Sequence, residues 1–458
     1  MPTADQRAAV GRAARKQVPP SAHADFAPAA DRPDPVELLL SQEQDRLAEL
    51  LPIRHGRMLA SPFAFYRASA VIMAADLAST PHSGLTAQIC GDAHLSNFGM
   101  FASPERRLVF DLNDFDETGP GPWEWDLLRL LASLELAGRA NGLRRKQRSA
   151  VVTAAARSYR EAMTQFAGQR ELEVWYARAD VEEFAAQLGK GGRKRLTTAG
   201  AKARGRNSLQ AYRKLTAVTG GRRRIVADPP LLVPVADLVP EVERKELEAQ
   251  IRDMLDGYRE TLIEDRRRLF DRFEFVDLAR KVVGVGSVGT RCWIVLLTGR
   301  DDQDPLLLQV KEAGPSVLDG YSPAADTEEH HGRRVVHGQR LMQAVSDIFL
   351  GWQHIPGFDG RGRDFYVRQL RDWKGSAVVE AMDPDGLRRY GRVCAWTLAR
   401  AHARSGDRIA IAAYLGGDDR YDQAFARFAA TYADRTERDH AAFARAVADG
   451  RVEAQTGI

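Results

Sequence analysis

Residues Gly284 to Thr290 read "GVGSVGT", a G-x-G-x-x-G pattern shared by two unrelated phosphate-binding architectures. The residues after the glycines separate the two. A dinucleotide-binding βαβ unit needs the last glycine to open a helix whose N-terminus faces the pyrophosphate. Here "RCWIVLL" comes next, β-branched and apolar, which predicts a strand. The turn "GRDDQDP" and the run "LLLQVKEAG" then predict a hairpin.

Strand, glycine turn, strand is the arrangement of a kinase-type loop, in which glycine lets the backbone close over ATP phosphates. Gly284, Gly286, Ser287 and Gly289 are the expected cofactor-binding positions. Such a loop needs a lysine from the neighbouring strand, and Lys311 lies on the next predicted strand. A glycine hairpin with an exposed lysine is the bland alternative. The glutamate expected to pair with Lys311 is not identifiable, because Glu328 and Glu329 precede the predicted helix "VVHGQRLMQAVSDIFLGW" and His337 sits within it.

Far upstream, "CGDAHLSNFGMF" (Cys90 to Phe101) lies between the short predicted strands "LTAQICG" and "FGMFAS". In a kinase-like site an Asp orients or deprotonates the acceptor hydroxyl, and an Asn five positions later binds magnesium. Asp92 and Asn97 have that spacing. A second metal-binding acid should come from "VFDLNDFDE", where Asp111, Asp114 and Asp116 compete. His94 joins Asp92 in the catalytic loop, chiefly as a residue that shapes it by hydrogen bonding. A lone histidine without a thiolate partner does not suggest zinc. The plain alternative is a polar turn capping its own backbone.

The 458 residues permit two or three compact units. With 44% hydrophobic and 28% charged residues and a formal net charge of +4, nothing global calls for nucleic acid or membrane. Three scattered cysteines give neither a disulfide framework nor a zinc pattern, and a cytoplasmic setting fits them. No apolar run approaches the roughly 20 residues needed to span a bilayer. Residues 1–36 read as a disordered tail and 37–270 as a mainly helical lobe. Within that lobe, 190–224 is a basic insertion without an acidic residue. It is expected to be solvated or to lie near an anionic substrate, since its sparse aromatics argue against nucleic acid. Residues 271–380 read as a nucleotide-binding β lobe, and 381–458 as helices returning to the helical lobe.

These segments resemble the aminoglycoside phosphotransferase and choline kinase branch of the protein-kinase-like superfamily, whose catalytic loop has the form H-G-D-x-H-x-x-N. Cys90 stands where that family commonly has His. The resemblance implies Asp92 as catalytic base, Asn97 and Asp114 as magnesium ligands, with Asp111 keeping a claim, and Asp126 in "PWEWDLLRL" as a structural acid under the loop. It implies an α+β, bilobal protein-kinase-like fold with a smaller antiparallel β-sheet lobe. Because Asp92 precedes Gly284, the fold would be circularly permuted. More closely, "GDAHLSNFG", "FDLNDFDE", "PWEWDLLRL" and "GQRLMQAVSDIFLGW" resemble the bacterial domain of unknown function family 2252, over nearly the whole chain after the tail. The expected activity is transfer of phosphate from ATP, with magnesium, to a hydroxyl of a small molecule or protein. A nucleotide-binding regulator without catalysis is the second expectation. A metallophosphatase is the third, and it lacks the "GNH" segment that such enzymes carry.

Overall fold

The computed structural model describes residues 2–186, 190–219, 221–238, 244–324, 328–356 and 361–458. The fold is mixed α+β, and every paired strand among these residues is antiparallel. The largest sheet has six strands in the spatial order Gly351–Pro356, Gly362–Gln369, Pro305–Ala313, Cys292–Thr298, Glu274–Lys281 and Leu232–Pro234. The hairpin expected after the glycine loop is present, with Thr298 opposite Pro305 and Cys292 opposite Lys311.

Successive residues of "WIVLL" alternate between two buried faces of this sheet. Val295 and Leu297 pack with Leu255, Tyr258 and Phe270 on one side. Ile294 and Leu296 pack with Tyr212 and Leu215 on the other. Helices cover both faces, which is why the strand reads as a continuous apolar run. The domain boundary expected at residue 270 is therefore too late. Helices Ser208–Leu215, Arg244–Glu260 and Glu264–Phe270 bury their apolar faces on the sheet. The basic insertion is also more structured than its composition suggests, with helix Lys190–Arg204 and the hairpin Thr216–Thr219 with Arg222–Ile225; residue 220 of this stretch lies outside the described residues.

The second body is helical. Trp123–Ala140 and Arg145–Ala167 share one core with Pro384–Ser405 and Arg420–Ala448, and Trp123 stacks on Tyr159 with ring centroids 5.3 Å apart. The chain thus leaves the helical body, builds the sheet, and returns to the helical body. A four-stranded sheet joins them: Gly375–Ser376 pairs with Phe98–Ala102, which pairs with Leu108–Leu112 and then Ala179–Asp180.

The amino-terminal segment corrects the expectation of a disordered tail. Ala4–Gln17 is a helix opened by a capping box between Thr3 and Gln6, and it packs on Arg408–Leu415. A Cβ at Gly11 would lie 2.0 Å from the Ala410 carbonyl oxygen, so the two backbones approach through small residues. Arg7 pairs with Asp407 at 3.0 Å, and Arg32 with Asp76 at 2.6 Å and Asp439 at 2.7 Å. Contacts made by Gly and Ala leave almost no hydrophobic signature in the sequence. The helix expected from "VVHGQRLMQAVSDIFLGW" is likewise shorter, ending at Met342, because Gln343 Nε2 donates to the Leu112 carbonyl and the Ala344 amide donates to Asp111.

Candidate functional site

The loop from Cys90 to Asn97 is held from below by one face of the Trp123–Ala140 helix. Asp126, Arg129 and Ser133 lie at i, i+3 and i+7, one stripe of that helix. Asp126 accepts from the Cys90 amide at 2.7 Å and from the Gly91 amide at 2.9 Å, the supporting role the sequence suggested. Arg129 Nε donates to Asp92 at 2.6 Å, and the Leu95 amide donates to Ser133 Oγ at 3.1 Å. Gly91 adopts φ +74°, and a Cβ there would lie 2.4 Å from the Glu117 carbonyl oxygen, so only glycine fits.

Within the loop, Asn97 Nδ2 donates to the Asp92 carbonyl oxygen at 2.8 Å, leaving Asn97 Oδ1 as the oxygen available to a ligand. His94 is buried, and its Nδ1 accepts from the Ser96 amide at 3.1 Å. Burial, followed by Arg67 and Arg129, holds the His94 imidazole well below its usual pKa, so the ring is neutral. Burial raises the Asp92 carboxyl against the pull of Arg129. That pairing keeps the Asp92 carboxylate oriented rather than freely solvated.

The "NDFDE" segment divides its acids by surroundings. Asp111 is fully buried and salt-bridged to Arg400, and it also accepts from the Ala344 amide at 2.8 Å. It belongs to the fold and does not line the cleft, whereas Asp114 does. Burial and the neighbouring Asp116 raise the Asp114 carboxyl. Asp116, against the effect of burial, is held below the ordinary value by Lys311 and by Tyr366, whose hydroxyl donates to it at 2.7 Å. Lys311 is buried at the centre of the sheet and forms its ion pair with Asp116. The ion-pair partner of Lys311 is thus an aspartate of the "NDFDE" segment. The helix His331–Met342 supplies Arg334 instead, which donates to the carbonyls of Thr118, Asp116 and Gly314.

Two of the glycines in "GVGSVGT" are required by conformation, Gly284 at φ +68° and Gly289 at φ +92°. Three arginines from the chain before the catalytic loop hold the turn by its carbonyls. Arg46 Nη1 donates to Gly286 at 2.9 Å and Val288 at 2.8 Å, Arg54 donates to Gly286, and Arg57 Nη1 donates to Gly284 at 2.5 Å. Sequence reasoning missed this clamp, because contacts to backbone carbonyls carry no residue pattern on the loop side. Arg129 was missed as well, although its position one turn after Asp126 is a signal that helical spacing could have given.

A cavity of about 730 Å³ brings these parts together: Asp92, His94, Asn97 and Asp114 line it along with Gly284, Gly286 and Ser287. Lys311 and Gly289 do not line this cavity; Lys311 reaches its edge through Asp116 and lines an adjoining recess of about 500 Å³, which shares Asp114, Gly284 and Ser287. Glu117, which also lines the main cavity, is raised to about 7 by burial. Among the described residues, no group of three or more His, Cys, Asp and Glu is arranged to hold a metal. Two protein oxygens, Asn97 Oδ1 and an Asp114 carboxylate, still match the donor set of a magnesium ion that takes its remaining ligands from phosphate and water.

Compared with known proteins, residues 46–446 match the family described as "Uncharacterized protein conserved in bacteria (DUF2252)", and the chain belongs to that family. No curated protein and no solved structure matches it. Among the described residues, no helix is long and apolar enough to cross a membrane.

Proposed function

We propose that this member of an uncharacterized bacterial family is an ATP- and magnesium-dependent phosphotransferase acting on a hydroxyl group, with a kinase-like fold in circularly permuted order. The observation that carries the reading is the shared cavity. A glycine turn and a carboxylate–amide–carboxylate set, far apart in sequence and in reversed order, line one cleft. The sheet supports it through its sequence of strand, glycine turn, strand, lysine-bearing strand, helix and two further strands. Asp92 orients the acceptor hydroxyl and takes its proton, and Arg129 fixes the carboxylate for that task. Asn97 and Asp114 would hold magnesium, which supplies charge neutralisation for the phosphates when bound. Lys311, positioned by Asp116, adds a fixed positive charge at the edge of the same cleft.

The test is ATP consumption by purified protein with magnesium across a panel of hydroxyl acceptors, alongside Asp92→Asn. The reading expects acceptor-dependent turnover that Asp92→Asn lowers at least a hundredfold. Turnover that is equal in the two proteins would remove it. A catalytically silent nucleotide-binding regulator is the second reading, favoured by the engagement of Asp92 with Arg129 and of Lys311 with Asp116. Thermal stabilisation by ATP without any turnover would support it.

A further inference from the structure

The recess beside the glycine turn does not look like a nucleobase pocket. Its cations come from four places in the chain: Arg206 and Lys214 from the basic segment, Lys281 from the strand before the glycine turn, Lys311 and Arg368 from the sheet centre, and Arg371 and Lys374 from the crossing into the helical body. Asp114 is the single carboxylate among the described lining residues. None of these lining residues is aromatic, and Val283 and Leu370 are the large apolar groups among them. Pockets that take a flat base are normally apolar or aromatic, with a few polar groups fixing orientation.

Apart from Lys311, no cation of this recess forms an ion pair with a carboxylate among the described residues. Lys311 has Asp116. Arg368 donates to the Asn113 carbonyl at 3.0 Å and to Gln309 at 3.2 Å, and Arg371 donates to Gln210 at 3.2 Å, all neutral partners. Among the described residues, Arg206, Lys214, Lys281 and Lys374 have no side-chain ion pair. Burial and Arg371 lower the Lys281 ammonium, and burial and Arg206 lower Arg371. Lys374, open to solvent on one side, is lowered to about 8 by enclosure and by Arg368. A concave surface with this much uncompensated charge is costly until an anion fills it.

We propose that this recess binds an oligophosphate, a ligand with three or more linked or clustered phosphates and no nucleobase. Several phosphates match the spread of cations around the recess, and guanidinium groups suit them as bidentate partners. The basic segment then has a role: its helix Ser208–Leu215 packs on the sheet and carries Lys214 to the rim. The inference goes beyond the phosphotransferase reading and is tested without turnover.

The experiment is calorimetric titration of the full chain with inorganic tripolyphosphate, ATP and adenosine at two salt concentrations, with a Lys281→Gln/Lys374→Gln double variant. Arg213→Gln is the control, because it removes one exposed charge of the same helix that does not line the recess. Tripolyphosphate is expected to bind at least as tightly as ATP, to weaken at least tenfold in the double variant and less than twofold in the control, and to weaken as salt rises. Adenosine is expected not to compete with tripolyphosphate. Absence of tripolyphosphate binding, its displacement by adenosine, or equal weakening by Arg213→Gln would each overturn the proposal. Thermal unfolding of both variants shows that any loss is not misfolding. Retained tripolyphosphate binding without phosphotransfer would remove only the phosphotransferase reading, and turnover without tripolyphosphate binding would remove only this one.

Discussion

Asp126→Asn tests most directly how the loop bearing Asp92 is built. In the fold, the carboxylate accepts from the Cys90 amide at 2.7 Å and the Gly91 amide at 2.9 Å, with His402 Nε2 3.3 Å away. Asparagine keeps one acceptor oxygen and replaces the other with an NH2 group, so one backbone N–H then meets a donor. A hydrogen bond to a charged acceptor contributes about 1.5–3 kcal/mol, and a buried N–H left without a partner costs about 1–3 kcal/mol. Together these give a loss of roughly 2.5–6 kcal/mol, a large share of the roughly 5–15 kcal/mol by which a domain is stable. Urea unfolding followed by tryptophan fluorescence measures the loss, and amide hydrogen exchange at Cys90 and Gly91 locates it. The expected result is a large fall in stability with protection lost at one or both amides. A change below about 1 kcal/mol with both amides still protected would show that the loop is held elsewhere and refute the reasoning.

Four further outcomes are expected. Gly289→Ala places a side chain at φ +92° and 3.1 Å from Arg46 Cβ, whereas the nearest atom to a Cβ at Gly286 is the Arg67 carbonyl oxygen at 3.2 Å; thermal melts should show a loss of about 1–2 kcal/mol for the first and a smaller one for Gly286→Ala. Glu124 is buried, accepts from the Ser83 amide at 2.7 Å, has no partner for Oε2 among the described residues, and is raised by burial to about 7. Its folded pKa lies above the unfolded one, so its penalty is absent below about pH 4.5, grows as pH rises to 7 and is complete above it. Stability should fall by up to roughly 3 kcal/mol over that window, and Glu124→Gln should flatten this part of the pH profile. Arg129→Gln leaves the Asp92 carboxylate without its cation and should cost about 3 kcal/mol in denaturant unfolding. Gly11→Leu cannot fit against Ala410, so limited proteolysis should cut the amino-terminal helix much faster than in the parent, and equal rates would contradict its packing.

Local chemistry was enough to read much of this chain. Glycine, turn and β-branched residues from Gly284 to Ala313 specify strand, turn and hairpin, since those preferences act over a few neighbours. The spacing of Asp92 and Asn97 marks a polar loop for the same reason, and the support from Asp126 came from the family resemblance. Periodicity likewise located the long helices, because each buries one stripe.

Other features depend on partners distant in the chain, and no local pattern encodes them. Asp111, Asp114 and Asp116 look alike in "VFDLNDFDE", and only packing gave them Arg400, the cleft and Lys311 as separate surroundings. The amino-terminal helix was illegible because it docks through Gly11 and Ala14, which bury little area yet allow close backbone approach. The basic segment read as solvated charge, and its place beside Lys281 and Lys374 comes from folding alone. Residue type and spacing along the chain were sufficient for the hairpin after the glycine turn and for the long helices. Which charges face one another was a matter for the folded molecule, because the field at a carboxylate or ammonium is set by distance in space.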